Sequence, residues 1–464
     1  MRTDYDLRGI TPELLAKYDR PGPRYTCYPT AQQFSGAYGP EAYRQRLADA
    51  ARRGEQPLSM YVHVPFCEAR CTYCGCNVVI SPRRGPEERY LDALASELDL
   101  LAGALGDRRT LNQLHWGGGT PTYLRPAQCE RLMAEISSRF ELAEGAEVAL
   151  EVDPCVTSLE HLRTLRRIGF NRLSMGVQDL DPDVQAAVGR DQPLELTRRH
   201  VAEARRLGFT SVNVDLIYGL PRQTEVSFRQ TVRTVVAELA PDRVACFSYA
   251  HVPWIKPHQR QLEQHLMPRG WEKFRLFAGA VEEFCGAGYR FVGFDHFSRP
   301  EDELAQAMDA GALHRNFMGY TVMPAPDQVG VGVTSIGDVA GSYAANERNL
   351  ARYERAVEEG AFAVDRGVVR SAEDELRGTV IRNIICNLEL DFASVERAFG
   401  VDPRKHFADA LAELEPLAAD GLVDLVSDAL RVTPRGRFFL RNICMPFDAY
   451  LKQPADTPVY SRTV

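Results

Sequence analysis

From residue 59 to about residue 250, short runs of β-forming residues alternate with amphipathic helical segments, and that rhythm leaves few folds open. The strand-like runs are SMYVHVPF, LNQLHWGG, EVALEVDP, NRLSMGVQ, SVNVDLIYG and RVACFSYAHV. Between them lie PEERYLDALASELDLLAGAL, RPAQCERLMAEISSRF, SLEHLRTLRRIG, LELTRRHVAEARRLG and TEVSFRQTVRTVVAEL, with apolar residues at helical spacing. Several of these helices run into a glycine, a common stop. Strand–helix–strand units of this kind are right-handed and put their strands in parallel. Six in a row predict an α/β fold, a full or partial barrel with its functional groups at the C-terminal ends of the strands.

The flanks read differently. DRPGPRYTCYPTAQQF, rich in Pro, Gly and aromatics, predicts an ordered loop, and GPEAYRQRLADAARRG a helix. Past residue 255 the rhythm loosens. WEKFRLFAGAVEEFCGAG predicts a helix, YRFVGFDHFS one further strand, and MPAPDQVGVGVTSIGDVAGS a Gly-rich stretch. From about 371 the chain becomes mainly helical. It closes on DGLVDLVSDALRVTPRGRFFLRNICMPFDAYL, a hairpin and a helix as in a winged-helix module. The expected division is 1–55, 56–370 and 371–464, in a chain of 464 residues that is long for one domain.

Charge and composition narrow the class. A net charge of −8 is no footprint for nucleic acid. No apolar run is long enough to span a bilayer, and MRTDYDLRGI lacks the apolar core of a signal peptide, so the expected compartment is the cytoplasm. Eleven cysteines in a reducing compartment need another account than disulfides. Seven are scattered and read as small buried hydrophobes. The other four crowd into FCEARCTYCGCN as Cys67, Cys71, Cys74 and Cys76.

Thiolates bind zinc or iron–sulfur clusters. Zinc commonly takes two separated CxxC-type pairs, and a second pair is missing here. A compact loop directly after the first strand instead suits a 4Fe–4S cluster held by three cysteines, with one iron left open. CxxxCxxC with an aromatic, Tyr73, before the last cysteine is the signature of radical S-adenosylmethionine enzymes. Other strand ends carry chemistry too. WGGGTPT offers Gly117, Gly118, Gly119 and Thr120, where backbone without Cβ can approach a ligand or simply make a tight turn. EVDP supplies Glu151 and Asp153, which can hold a ribose hydroxyl; for Asp153 a helix N-cap is the simpler role. GVQD supplies Gln178, and VDLIYGLP supplies Asp215.

With PRYTCYPTA, YVHVPFCEARCTYCGCN, LHWGGGTPTYL, GFNRLSMGVQD, DLIYGLPRQT, FSYAHVP, DHFSRPEDELA, LHRNFMGYT and RNICMPFD, nearly the whole chain resembles the oxygen-independent coproporphyrinogen III oxidases. The CGC form and PRYTCYPTA separate this family from its paralogues, the heme-chaperone-like proteins. The resemblance implies a partial (β/α)6 TIM-type barrel, extended by extra strands, with a mainly α C-terminal domain. It implies one 4Fe–4S cluster on Cys67, Cys71 and Cys74 and two S-adenosylmethionine molecules. Tyr61, Gly118, Glu151 and Ile336 match contacts of the first, which chelates the open iron. Tyr73, Gly119, Thr120, Gln178, Arg190, Asp215 and Ala250 match contacts of the second. Cys76 and His63 match residues needed for activity without being ligands.

The implied reaction is oxidative decarboxylation of two propionates of coproporphyrinogen III to vinyl groups, giving protoporphyrinogen IX. A 5′-deoxyadenosyl radical, made by one-electron cleavage of the sulfonium, takes a β-hydrogen from the propionate, which then loses CO2 and one electron. The resemblance also implies a low-potential, flavodoxin-like electron donor, a terminal electron acceptor and a monomer. The substrate bears four carboxylates, which the planar fork of arginine suits; Arg24, Arg190 and Arg315 are candidates, with structural ion pairs as the plainer reading for Arg24 and Arg315. Two positions depart from the family pattern: Met318 stands where a polar Gln is common, and Cys27 where Ser is usual.

Overall fold

The computed structural model describes residues 4–452 and 460–463. Its centre is a twelve-stranded sheet. The strands in chain order are β1 (Leu58–Val64), β2 (Thr110–Gly118), β3 (Glu141–Val152), β4 (Arg172–Gln178), β5 (Ser211–Tyr218), β6 (Arg243–Ser248), β7 (Arg290–Gly293), β8 (His296–Ser298), β9 (Asp327–Val331), β10 (Ile336–Val339), β11 (Ser342–Asn346) and β12 (Val364–Val369). Their order across the sheet is β12-β11-β10-β9-β1-β2-β3-β4-β5-β6-β8-β7. β1 to β6 are neighbours in sequence order and all parallel. Each falls on one of the six predicted runs. Helices Pro86–Leu105, Pro126–Ser137, Leu159–Arg167, Leu194–Leu207 and Glu225–Thr234 return the chain between them, as their apolar spacing predicts.

The pleat decides what each strand shows. In β1, Leu58, Met60, Val62 and Val64 are wholly buried in the main apolar core. Each such burial contributes about 1.5–3 kcal/mol. In β4 and β5 the same alternation buries Leu173, Met175, Val177, Val212, Val214 and Leu216. The residues between them, Ser174, Gly176, Gln178, Asn213 and Asp215, line an open interior instead. A sheet covered on both faces by apolar layers reads as continuous hydrophobic runs. The period-two pattern here is the mark of a barrel whose inside is a cavity into which these strands turn their small and polar side chains.

Two expectations change. YRFVGFDHFS is not one strand but a hairpin, β7 and β8 paired antiparallel. Phe294 takes φ +40° at its turn, a conformation that a pattern of apolar residues does not announce. The Gly-rich stretch after residue 322 contributes β9 and β10. β9 runs parallel to β1 and extends the sheet on the side opposite β6. Glycine depresses strand propensity, which hides this strand. Gly330 is needed there because a Cβ would stand 2.9–3.0 Å from the backbone of Ile336.

C-terminal to the sheet lie helices Ala372–Asn387, Phe392–Phe399 and Ala408–Ala419 and a small antiparallel sheet of Glu389–Asp391, Ala429–Val432 and Val423–Leu425. Ser371 opens the first helix with a capping box. Its hydroxyl accepts from the Asp374 N–H while the Asp374 carboxylate accepts from the Ser371 N–H. The core of this layer is shared with the chain start: Ile10, Leu15, Tyr18, Tyr25 and Tyr28 pack into it. The Tyr25 hydroxyl donates to Asp448 at 3.0 Å, and the Tyr28 hydroxyl accepts from the Ala449 N–H at 3.0 Å. No helix among the described residues is long and apolar enough to cross a membrane.

Candidate active site

The four cysteines lie on a loop whose two ends are tied side by side. Phe66–Cys67 pairs in parallel with Val79–Ile80, so the chain leaves β1, turns out through residues 68–78 and returns. Three side chains from the segment after β6 hold this loop by its carbonyls. Lys256 Nζ donates to Cys76, His258 Nε2 to Cys74 and Gln259 Nε2 to Tyr73, each at 2.9 Å. On the other side Arg190 reaches the Tyr73 hydroxyl at 3.1 Å and the Cys71 sulfur at 3.8 Å, while it pairs with Asp153 at 3.1 Å. Cys67 meets the Thr120 hydroxyl at 3.5 Å.

Burial pushes the thiol of Cys67 up to about 11 and that of Cys71 upward as well. The neighbouring Cys76 thiol holds Cys74 below the usual thiol range and is itself driven upward. Among the described residues no three His, Cys, Asp or Glu side chains converge as one metal ion would require. The thiols of Cys67, Cys71 and Cys74 are instead spread along the wall of a single cavity. An all-thiol donor set spread out in this way fits a multi-iron cluster better than a lone ion.

Behind that wall runs a polar relay. His63 Nε2 lies 3.1 Å from the Asn77 carbonyl, to which it must donate, so Nδ1 accepts from the Tyr61 hydroxyl at 3.1 Å. Burial lowers the His63 pKa, which keeps the ring neutral near pH 7. The Tyr61 ring stacks on His115, 6.0 Å between centroids. His115 Nε2 stands 3.5 Å from Glu151, and the Gly118 N–H donates to the same carboxylate at 3.1 Å. Burial opposes the charge on Glu151, but His115 and the Gly118 N–H outweigh it and hold the carboxyl below its usual range. Gly118 has φ +117°, and a Cβ there would fall 2.5 Å from the His63 ring.

One cavity of ≈ 820 Å³ runs along the barrel interior, from Arg172, Ser211 and Arg243 at the strand starts to the C-terminal strand ends, and gathers most of the expected site residues. Cys67, Cys71, Tyr73, Cys74, Cys76, Gly118, Gly119, Thr120, Glu151, Gln178, Arg190, Asp215 and Ala250 all line it. Tyr61 and His63 stand one layer behind. Ile336 is placed apart. It lies on β10 beside Gly330, the partner of Tyr61, and packs against the cluster of Cys27, Phe34, Tyr343 and Ala345 rather than lining the cavity. Asp153 does accept from the Cys155 N–H as a turn former, and it pairs with Arg190 besides. The carbonyl clamp of Lys256, His258 and Gln259 was not anticipated; only its place, just past a barrel strand, could have pointed to it. Of the two departures, Met318 lines the cavity, whereas the buried Cys27, its thiol pushed up to about 12 by burial, does not.

Residues 61–235 match the radical SAM superfamily and residues 371–439 the HemN C-terminal domain. The oxygen-independent coproporphyrinogen III oxidase of Salmonella typhimurium is 45% identical over 461 residues, 99% of each chain. That of Escherichia coli is 44% identical over 461 residues, again 99% of each. The chain belongs to the oxygen-independent coproporphyrinogen III oxidase family. The Synechocystis member is 40% identical over the full length of both chains. The solved structure of coproporphyrinogen III oxidase (HemN) from Escherichia coli, a radical SAM enzyme, superposes with a TM-score of 0.90 at 43% identity, covering 97% of this chain and 100% of that one. Family, fold and superfamily thus stand as the motifs imply. Superfamily membership brings with it a 4Fe–4S cluster and S-adenosylmethionine.

Asp215 gives the site a measurable pH signature. It accepts from Ser174 at 3.0 Å and from Asn213 at 2.7 Å, yet burial, aided by the charge of Glu151, raises its pKa from 3.8 to about 6. Between these pH values the native state binds more protons than the unfolded chain, so stability falls as pH rises through the window. Asp215→Asn is expected to stabilise the fold more at pH 7.5 than at pH 5, by up to ~3 kcal/mol at the higher pH, seen as a larger rise in Tm there. An equal gain at both pH values would refute this account of the carboxyl.

Proposed function

We propose that this protein converts two propionate side chains of coproporphyrinogen III to vinyl groups without oxygen, giving protoporphyrinogen IX in heme synthesis. The observation that carries this reading is 45% identity over 99% of the chain with an oxygen-independent coproporphyrinogen III oxidase, joined to a cavity with a three-plus-one cysteine loop on its wall. Each propionate would lose a β-hydrogen, CO2 and one electron. The bound cluster and nucleoside would supply the one-electron chemistry that starts this sequence.

The chain's own residues would position and shield. Cys67, Cys71 and Cys74 would ligate the cluster and leave one iron open, as a catalytic metal site requires. Tyr61, Gly118 and Glu151 would serve a first S-adenosylmethionine, with Glu151 kept charged by His115. Ile336, beside the Tyr61 partner Gly330 on the neighbouring strand, would complete that group. Tyr73, Gly119, Thr120, Gln178, Arg190, Asp215 and Ala250 would serve a second molecule, on the side of the cavity where Arg190 already fixes the Tyr73 hydroxyl. Cys76 would act on the substrate side, and His63, one layer behind the wall, would act through the Tyr61 hydroxyl it accepts from. We further propose that residues 1–55, whose part from Ile10 to Tyr28 shares a core with 371–464, and residues 371–464 themselves cover the opening of the 56–370 barrel and exclude water. A low-potential donor, a separate electron acceptor, a cytoplasmic location and a monomeric state complete the reading.

The test is an anaerobic assay with reconstituted protein, S-adenosylmethionine, a low-potential reductant, an electron acceptor and coproporphyrinogen III. Methionine, 5′-deoxyadenosine and protoporphyrinogen IX are expected together. Methionine and 5′-deoxyadenosine alone would overturn the substrate while sparing the radical chemistry.

A further inference from the structure

The arginines on the cavity wall are not alike. Arg172, Arg190 and Arg243 are ion-paired with Glu147 at 2.9 Å, Asp153 at 3.1 Å and Asp302 at 2.9 Å. Arg24 has no carboxylate partner among the described residues; its Nη2 donates to the Ser248 carbonyl at 2.6 Å. Arg24 and Ser248 also wall a second, smaller niche of ≈ 70 Å³, next to the main cavity.

The charged residues of that niche come from four separate stretches of chain: Arg24 from the start, Asp295 from the β7–β8 turn, Arg315, and Arg437 with Arg441 near the end. The cations all rest on main-chain oxygens. Arg315 Nη1 donates to the Arg24 carbonyl at 3.2 Å, and Arg441 to Pro23 at 3.0 Å. Arg437 donates to the carbonyls of Asp4 and Phe291. Lys273, behind the niche, donates to Tyr249 at 2.9 Å. The Nε atoms of Arg315 and Arg437 are buried and have no partner. The one acid in the wall, Asp295, is already engaged with His296 at 2.7 Å. Four guanidiniums thus share one carboxylate within the wall, Asp295, whose field Arg24 and Arg315 feel, while Asp4 and Asp19 act on Arg437 and Arg441 from outside it. Buried cations without a counter-charge are costly, and the cost is recovered when an anion enters. Arg315 is further held in place over the Phe294 and Tyr320 rings, 5.0 and 5.5 Å from their centroids.

We propose that this niche is a carboxylate subsite, in which Arg24 and Arg315 anchor a propionate of the substrate that does not react. The inference rests on the function proposed above. Two of the four carboxylates leave as CO2 and two persist through the reaction, so a persisting arm can stay anchored while another reaches the cysteine loop. Arg24, which walls both spaces, joins the anchor to the reaction cavity.

The same chemistry would suit the carboxylate of S-adenosylmethionine, and the test separates the two. Binding of coproporphyrin III, the stable fluorescent oxidised form, and of S-adenosylmethionine is titrated on reconstituted enzyme. The forms compared are the parent, Arg24→Gln, Arg315→Gln and the exposed control Arg260→Gln. Loss of one charge-assisted contact weakens binding about 10- to 100-fold. The first two variants are expected to lose at least about tenfold in coproporphyrin affinity and to hold S-adenosylmethionine within about twofold. Unchanged coproporphyrin affinity overturns the subsite, and so does a loss confined to S-adenosylmethionine. Should either variant melt early, the parent enzyme decides with coproporphyrin tetramethyl ester: equal affinity for ester and acid overturns the proposal, and an ester at least about tenfold weaker sustains it. A parent that cleaves S-adenosylmethionine but binds no coproporphyrin at all would instead fail the substrate reading.

Discussion

Cys76→Ser is expected to rebuild the iron–sulfur absorbance of the parent and to form no protoporphyrinogen IX, whereas Cys71→Ser should lose the chromophore and S-adenosylmethionine cleavage together. Coordination number separates the two variants. Three thiolates leave an iron open for the cofactor, and a fourth would close the site. Cys71 lines the cavity beside Arg190, and a serine hydroxyl there is a poor ligand because it stays protonated. Cys76 is exposed at the cavity, its backbone held by Lys256, where a thiol can meet substrate. Iron content, the visible spectrum and 5′-deoxyadenosine yield distinguish the variants. If Cys76→Ser loses its iron while Cys74→Ser keeps it, the ligand assignment is wrong.

Gly119→Ala should lose the cluster without touching a sulfur. A Cβ at Gly119 would lie 2.6 Å from the Pro65 carbonyl oxygen and 2.8 Å from that of Phe66. These are backbone atoms, and they cannot swing aside as a flexible side chain would. The Gly119 N–H already donates to Val64 at 2.8 Å and the Thr120 N–H to Phe66 at 2.9 Å, so the ends of β1 and β2 are laced together. Forcing them apart costs at least ~1–3 kcal/mol and shifts Phe66–Cys67, the root of the cysteine loop. Iron occupancy after reconstitution and Tm should both fall. Gly103→Ala, in helix Pro86–Leu105 with nothing within 4 Å of the new Cβ, should instead be neutral or stabilising by ~0.5–1 kcal/mol. Full iron in Gly119→Ala would remove this account of the GGG motif.

The legible part of the fold is its repeating part. In NRLSMGVQ the alternation of Leu173, Met175 and Val177 with Ser174, Gly176 and Gln178 states both the strand and the side that faces the cavity. Where backbone conformation overrides composition, the reading fails. The β7–β8 turn depends on Phe294 at φ +40°, and β9 hides among glycines that exist because another strand passes too close for a side chain. The clamp of Lys256, His258 and Gln259 was equally silent, since main-chain carbonyls are acceptors that every sequence possesses.

The cysteine loop and the residues at the strand ends were set by sequence alone, because loop spacing and strand alternation are local and each strand delivers its end residues to one rim of the barrel. Tertiary structure alone decided the roles of the arginines. Arg190 is paired with Asp153, while among the described residues Arg24 and Arg315 bond main-chain carbonyls and make no close ion pair. Arg24 meets Ser248 across 224 positions of chain and Arg315 meets Arg24 across 291. Whether a cation finds a carboxylate or only a carbonyl at such separations is settled by how the chain start, the barrel and the chain end pack together, and no local pattern records it.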